Sequence, residues 1–253
     1  MTALTAAALI WVFVIWIFVR GRFGPSKESW SRAIAFKPQE EMSPEQLFGC
    51  LLSGNFAVLM HDNFNQLESA LSPRRIHRIL HDHWAIDTQA DCRRVIQSRL
   101  ESLGRLSPAE KRAIAAWLLR EQVDSNEYAA LEDTCLYMAV RAQITQIDEL
   151  RHDHLSVAAW DIQQLAYLVR LAVTVGYVPR LRAEQLLQLL ATRARATYAC
   201  WKDYSLAALV GLGMRGSLEV FDHAEWALFA RTHSVCLDSR RPPTRSASRW
   251  HER

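Results

Sequence analysis

Between Ala3 and Val19 the sequence carries one non-apolar residue, Thr5, in a run that includes Trp11, Phe13, Trp16 and Phe18. Few environments accept such a segment. As a helix rising ~1.5 Å per residue it is about 25 Å long, the short end of what spans a hydrocarbon core of roughly 30 Å. No charged side chain precedes the run, and bulky Ile17, Phe18 and Val19 close it. A secretory signal would instead begin with basic residues and end at small ones. The expectation is an uncleaved transmembrane anchor over residues 1–20 that meets the membrane through residues 3–19. Arg20, Arg22, Lys27, Arg32 and Lys37 follow it against a single acid, Glu28. Basic flanks stay on the cytoplasmic side, so the amino terminus is expected outside and the rest of the chain in the cytoplasm.

The cysteines agree with that placement. Cys50, Cys92, Cys135, Cys200 and Cys236 are odd in number, widely spaced and in no CxxC pair, as in a reducing compartment without a disulfide framework. With 50% hydrophobic and 23% charged residues and a formal net charge of +3, the chain is neither disordered nor fibrous. The next most apolar stretch, 165–178, is interrupted by Arg170 and Gly176 and is too short to span a bilayer. Residues 21–42, with Gly21, Gly24, Pro25 and Pro38, read as a juxtamembrane linker. Residues 238–253, with five arginines, Pro242 and Pro243, read as a disordered basic tail.

The segment between them, 43–237, is expected to be an all-α domain of seven to nine helices. Ser43-Pro44-Glu45-Gln46 and Ser107-Pro108-Ala109-Glu110 place a capping serine, a proline at the first helical position and an acceptor three residues on. Thr88-Gln89-Ala90-Asp91 repeats the spacing more weakly, and Gly104 and Gly176 fall where the helices after Thr88 and Ser156 should stop. From Ala158 to Val175 the apolar residues follow the three-and-four spacing of one helical face. Alternating runs and hairpin dipeptides are missing, so strands are not expected.

Catalytic signals are weak. Gly211, Gly213 and Gly216 spell G-x-G-x-x-G, but no strand precedes them, and a dinucleotide site needs a strand-to-helix turn. A tight turn between closely packed helices is the preferred reading. His77 and His81 stand one helical turn apart, as do Asp148 and His152. Two such pairs facing each other would hold zinc or another divalent ion and support a metal-dependent hydrolase, although solvated helix ends commonly carry such residues too. Otherwise no cofactor is expected. No G-x-S-x-G elbow is present. The basic clusters lie beside the anchor and in the tail, where lipid headgroups are as fitting a partner as nucleic acid, so nucleic-acid binding is not expected. Trp160-Asp161 opens the most apolar helix, and Trp84 and Trp201 stand beside helix boundaries. These can pack and cap, or, with Tyr177, line a groove for a partner.

The same words carry a resemblance. His83-Trp84-Ala85-Ile86 before a capped helix, Ala159-Trp160-Asp161-Ile162, Gly176-Tyr177-Val178 and Cys200-Trp201-Lys202-Asp203, in that order, resemble the bacterial family known as domain of unknown function 1266, over about residues 71–229. Members often place an arginine shortly after the Trp-Asp pair, where Gln163 and Gln164 stand here. Their Gly-Arg word is approximated by Gly213-Met214-Arg215-Gly216. The resemblance implies a bacterial helical domain and brings no activity or catalytic residue. The functional expectation is a protein-interaction or accessory factor at the bacterial inner membrane, with Trp84, Trp160, Asp161, Tyr177 and Trp201 as contact residues and an unidentified protein as partner. The alternative is the metal site of His77, His81, Asp148 and His152.

Overall fold

Reciprocal side-chain caps mark where two of the helices begin. The computed structural model describes residues 42–108, 110–112, 156–215, 232 and 250, and the expected anchor lies outside them, as do all but Met42 of the linker. Seven helices have both ends among the described residues: α1 (Pro44–Leu51), α2 (Gly54–Leu59), α3 (Pro73–Trp84), α4 (Gln89–Ser102), α5 (Ala158–Thr174), α6 (Arg180–Thr197) and α7 (Trp201–Arg215). No strand occurs among those residues, so the described part is all-α. At α1 the Ser43 hydroxyl accepts from the Gln46 N–H at 3.2 Å while Gln46 Oε1 accepts from the Ser43 N–H at 2.9 Å. Thr88 and Asp91 repeat the reciprocal pair at α4, both bonds 3.1 Å. Each box satisfies two backbone donors that a helix start leaves open. Gly104 and Gly176 adopt φ of 72° and 76° just past α4 and α5, a left-handed stop that glycine makes without strain.

The helix expected to bury one face is buried nearly all round. From Ala159 to Ala172 every α5 residue except Gln164 is buried, because α5 packs against each of the other six helices. A helix apolar on all sides is a core helix, and α5 is the axle of the fold. Among the described residues no helix is long and apolar enough to cross a membrane.

α7 lies closest to this axle. A Cβ built on Gly211 would stand 2.6 Å from Trp160 Cβ and 3.2 Å from Val157 Cα, so the two helices approach through a position where only hydrogen fits. The close packing expected of the glycine word is therefore present at Gly211. The expected inter-helix turn is not there, because Gly211 and Gly213 are both inside α7. α1 and α2 join the same core: the Tyr204 hydroxyl of α7 donates to the Leu52 carbonyl at 2.9 Å, and Asn55 Nδ2 donates to Ser205 Oγ at 2.9 Å. Of the tail expected to be disordered, Trp250 is the described residue, and it is buried.

Candidate functional site

Three polar assemblies stand along α5, two of them buried, at its first turn and on its second half, and one exposed beyond its C-terminal end. Asp161, in the first turn of α5, is buried. One carboxylate oxygen accepts from the Gly104 N–H at 2.8 Å, and the other pairs with the Arg215 guanidinium. Arg215 also reaches Glu110 Oε1 at 2.9 Å and the Arg105 carbonyl at 2.7 Å. Glu110 in turn forms the expected box with Ser107. Thus the end of α7, the α4 stop and the turn opened by Ser107 are stitched to the start of α5. Burial pushes the Asp161 carboxyl above the usual carboxylate range in spite of the Gly104 N–H and Arg215. Burial also acts on Glu110, but hydrogen bonds from Arg215 and Ser107 outweigh it and hold that carboxyl below the usual range.

The second assembly centres on Arg170, which is completely buried. Its Nε donates to the Gln66 carbonyl at 2.8 Å, one terminal nitrogen to Ser53 Oγ at 2.9 Å, and the other to the carbonyl and Oδ1 of Asn63 at 2.7 and 2.6 Å. The segment between α2 and α3 wraps this guanidinium and turns its own polar groups inward. Buried Asp62 accepts from the Asn63 and Ala70 N–H groups, both at 2.8 Å, and from the Ser69 hydroxyl at 2.6 Å. Tyr167, one turn before Arg170, lies in the field of Asp62, and burial followed by that carboxylate raises its phenol. None of this was singled out from the sequence. The available signal was the polar run Asp62, Asn63, Asn65, Gln66 beside an arginine inside an apolar stretch.

Beyond the C-terminal end of α5 stands Tyr177. Its hydroxyl donates to the Asp87 carbonyl at 2.8 Å and lies 3.3 Å from His77 Nδ1, and its carbonyl accepts from Gln89 Nε2 at 3.1 Å. His81 Nδ1 contacts Asp87 Oδ1 at 2.8 Å. Both histidines of the proposed metal pair are thus engaged by Tyr177 and Asp87. Asp148 and His152 lie outside the described residues, and no group of three or more potential ligands gathers among the described ones. Asp87, by hydrogen bond and then by charge, raises the exposed His81 imidazole above its ordinary value of 6.5. For a raised histidine the favourable pairing is present at low pH and fades as pH rises through the folded pKa. An NMR titration is expected to place His81 above the ordinary value and Asp87→Asn to return it there; no change in that variant would remove Asp87 as the cause.

The four described tryptophans occupy two places. Phe56 of α2 is surrounded by Trp84 at 6.4 Å, Trp160 at 5.4 Å and Tyr167 at 5.5 Å between ring centroids. Trp84 also lines an open cleft of about 550 Å³ between α3 and α4, together with Asp82, Arg94 and Arg99. Trp201 belongs to a separate nest with Phe48, Tyr204 and Trp250. The structure therefore joins Trp84 to Trp160 through Phe56. It sets Trp160 and Asp161 at the opposite end of α5 from Tyr177 and puts Trp201 elsewhere.

The family model described as "Protein of unknown function (DUF1266)" matches residues 79–234, more than half of the chain. The chain belongs to the DUF1266 family. No curated protein and no solved structure matches it. The DUF1266 match begins inside α3 and takes in Trp84, the Trp160-Asp161 pair, Tyr177, Trp201 and Arg215. Arg215, inside the match, is the residue that pairs with Asp161. α1, α2 and the turn between them lie upstream of the match, yet they supply Phe48, Phe56 and Ser53 to the same interior. In this chain the DUF1266 core is completed by residues 44–59.

Proposed function

We propose that this DUF1266 protein is a non-catalytic interaction module, an accessory factor whose helical domain captures another protein beside a bacterial cytoplasmic membrane. The observation that carries the reading is a groove of about 370 Å³ between α1 and α6, with Cys50, Leu67 and Leu187 among its lining residues. Leu181, also lining it, is 68% exposed, and Leu189, two turns further along α6, is 40% exposed. Gln46, Gln185 and Gln188 flank these apolar groups, and Glu45, Arg180 and Glu184 supply charge. An apolar slot with a polar and charged rim suits the apolar ridge of an amphipathic partner helix. Residues 3–19 would hold the module at the membrane, and the basic residues from Arg20 to Lys37 would keep it on the cytoplasmic face.

Site-specific photocross-linking in native membranes tests the reading. A photoreactive residue at position 181 is expected to trap one discrete protein species, and the same residue at position 94 on α4 to trap none. A monomeric, uncross-linked chain at position 181 would count against the module, and release of the chain by alkaline carbonate would count against the anchor.

A further inference from the structure

Positive charge gathers in the open cleft between α3 and α4. Arg94, Ser98 and Arg99 line it from α4, and His81, Asp82 and His83 from the last turn of α3. All six are exposed except Arg99, which is half-buried. Arg94 gives one terminal nitrogen to Asp91 Oδ1 at 2.6 Å, and Arg99 gives one to Gln164 Oε1 at 3.1 Å. A guanidinium carries several N–H donors in a planar fork, so each keeps most of its fork for a second acceptor. Asp91, the partner of Arg94, also accepts from the backbone and hydroxyl of Thr88, which ties its charge to the start of α4. Asp82 is the one acid among the described residues that line the cleft, so cations outnumber it two to one before either histidine is protonated.

His81 presents Nδ1 to Asp87 Oδ1 at 2.8 Å, which leaves Nε2 as the ring nitrogen for the cleft. That pairing, by hydrogen bond and then by charge, favours the protonated imidazole and adds to the positive field. The remaining wall is apolar and comes from Trp84, Ala85 and Val95. Ala85 closes α3 in the left-handed conformation, with φ of 51°, where glycine is the ordinary choice; alanine keeps a methyl group on the wall. The volume of about 550 Å³ falls within the ~300–1,000 Å³ of small-molecule sites. Guanidinium forks match phosphate oxygens in geometry and charge. A phosphate monoester brings nearly two negative charges and three acceptor oxygens at neutral pH, enough for two forks and a hydroxyl to share, whereas a carboxylate fills one fork.

We propose that the cleft between α3 and α4 binds a phosphate monoester, its phosphoryl oxygens held by Arg94, Arg99 and Ser98 and its organic body lying against Trp84, Ala85 and Val95. The site is distinct from the partner groove between α1 and α6 and does not depend on it.

Calorimetric titration of the full chain with phenyl phosphate is expected to show saturable binding, tighter than that of inorganic phosphate, which lacks the organic body. Phenol, which lacks the phosphate, should not bind. Arg94→Gln and Arg99→Gln, each with the circular dichroism of the parent, should weaken phenyl phosphate by roughly tenfold or more, the loss of a charge-assisted bond. Arg182→Gln, an exposed arginine of α6, should leave binding unchanged. No saturable binding to the parent at millimolar phenyl phosphate overturns the proposal. An equal loss in all three variants also overturns it, because it would mark general surface charge, and so does benzoate binding as tightly as phenyl phosphate. Competition then reads the source of the phosphate. Displacement by glycerol 3-phosphate supports the site with a soluble ester, and displacement by vesicles of phosphatidic acid alone supports it with a lipid headgroup. A small ligand leaves the cross-link at position 181 unaffected, so the two readings fail separately.

Discussion

Arg170→Met is expected to lower the stability of the helical domain by about 4 kcal/mol or more, since unpaired buried acceptors cost ~1–3 kcal/mol each. The substitution keeps an unbranched apolar stem of roughly the same course, so the loss is mainly of hydrogen bonds. It removes the donors that the Gln66 and Asn63 carbonyls, Asn63 Oδ1 and Ser53 Oγ accept from. Arg170→Lys should recover less than half of the loss. A single ammonium keeps the charge, but it cannot reach three directions in one plane as the guanidinium fork does. Denaturant unfolding monitored by circular dichroism measures both variants. A Met variant within about 1 kcal/mol of the parent, the net worth of one ordinary hydrogen bond, would show that the segment between α2 and α3 holds its place without Arg170.

Gly211→Val should be the next most damaging change, at about 3 kcal/mol, the upper end of ordinary overpacking. Helix propensity works in the other direction, because glycine inside a helix is ~1 kcal/mol worse than alanine. Contact decides the sign. The atom met at 2.6 Å is Trp160 Cβ, which is rooted in the α5 backbone and cannot swing aside, and the branched methyl groups of valine extend the conflict. Gly211→Ala should lose about 1 kcal/mol, less than valine because only the Cβ must be accommodated. An alanine variant more stable than the parent would mean that α5 and α7 can separate freely at this point.

Local signals were readable wherever the chemistry is local. Ser43 with Gln46 and Thr88 with Asp91 act within four residues, and Gly104 and Gly176 stop helices through their own backbone freedom, so these boundaries could be placed from neighbouring letters. The place of α5 could not. Its periodicity suggested one apolar face, but the number of helices around it depends on segments more than a hundred residues away. Arg170 shows the same limit: in sequence it was a charge that broke an apolar stretch, and in the structure its acceptors come from residues 53–66. Asp161 was readable as a capping or dipole-compensating residue. Its partners, Gly104 and Arg215, lie 57 and 54 positions away. The glycine word conveyed close approach, since a missing side chain allows it anywhere, but not whether the approach happens at a turn or along a helix.

The axle arrangement has a consequence during synthesis. α5 begins at Ala158, whereas α4 ends at Ser102, and translation proceeds at ~5–20 residues per second. The first four helices therefore leave the ribosome roughly 4–14 s before α5 is complete, long enough for the microsecond formation and loss of helical turns many times over. During that interval Phe48, Phe56, Ile76 and Leu80 have no axle to cover them. Nascent chains stalled before Ala158 should therefore recruit chaperones and be cut readily by protease, and those stalled well past Arg215 should resist both.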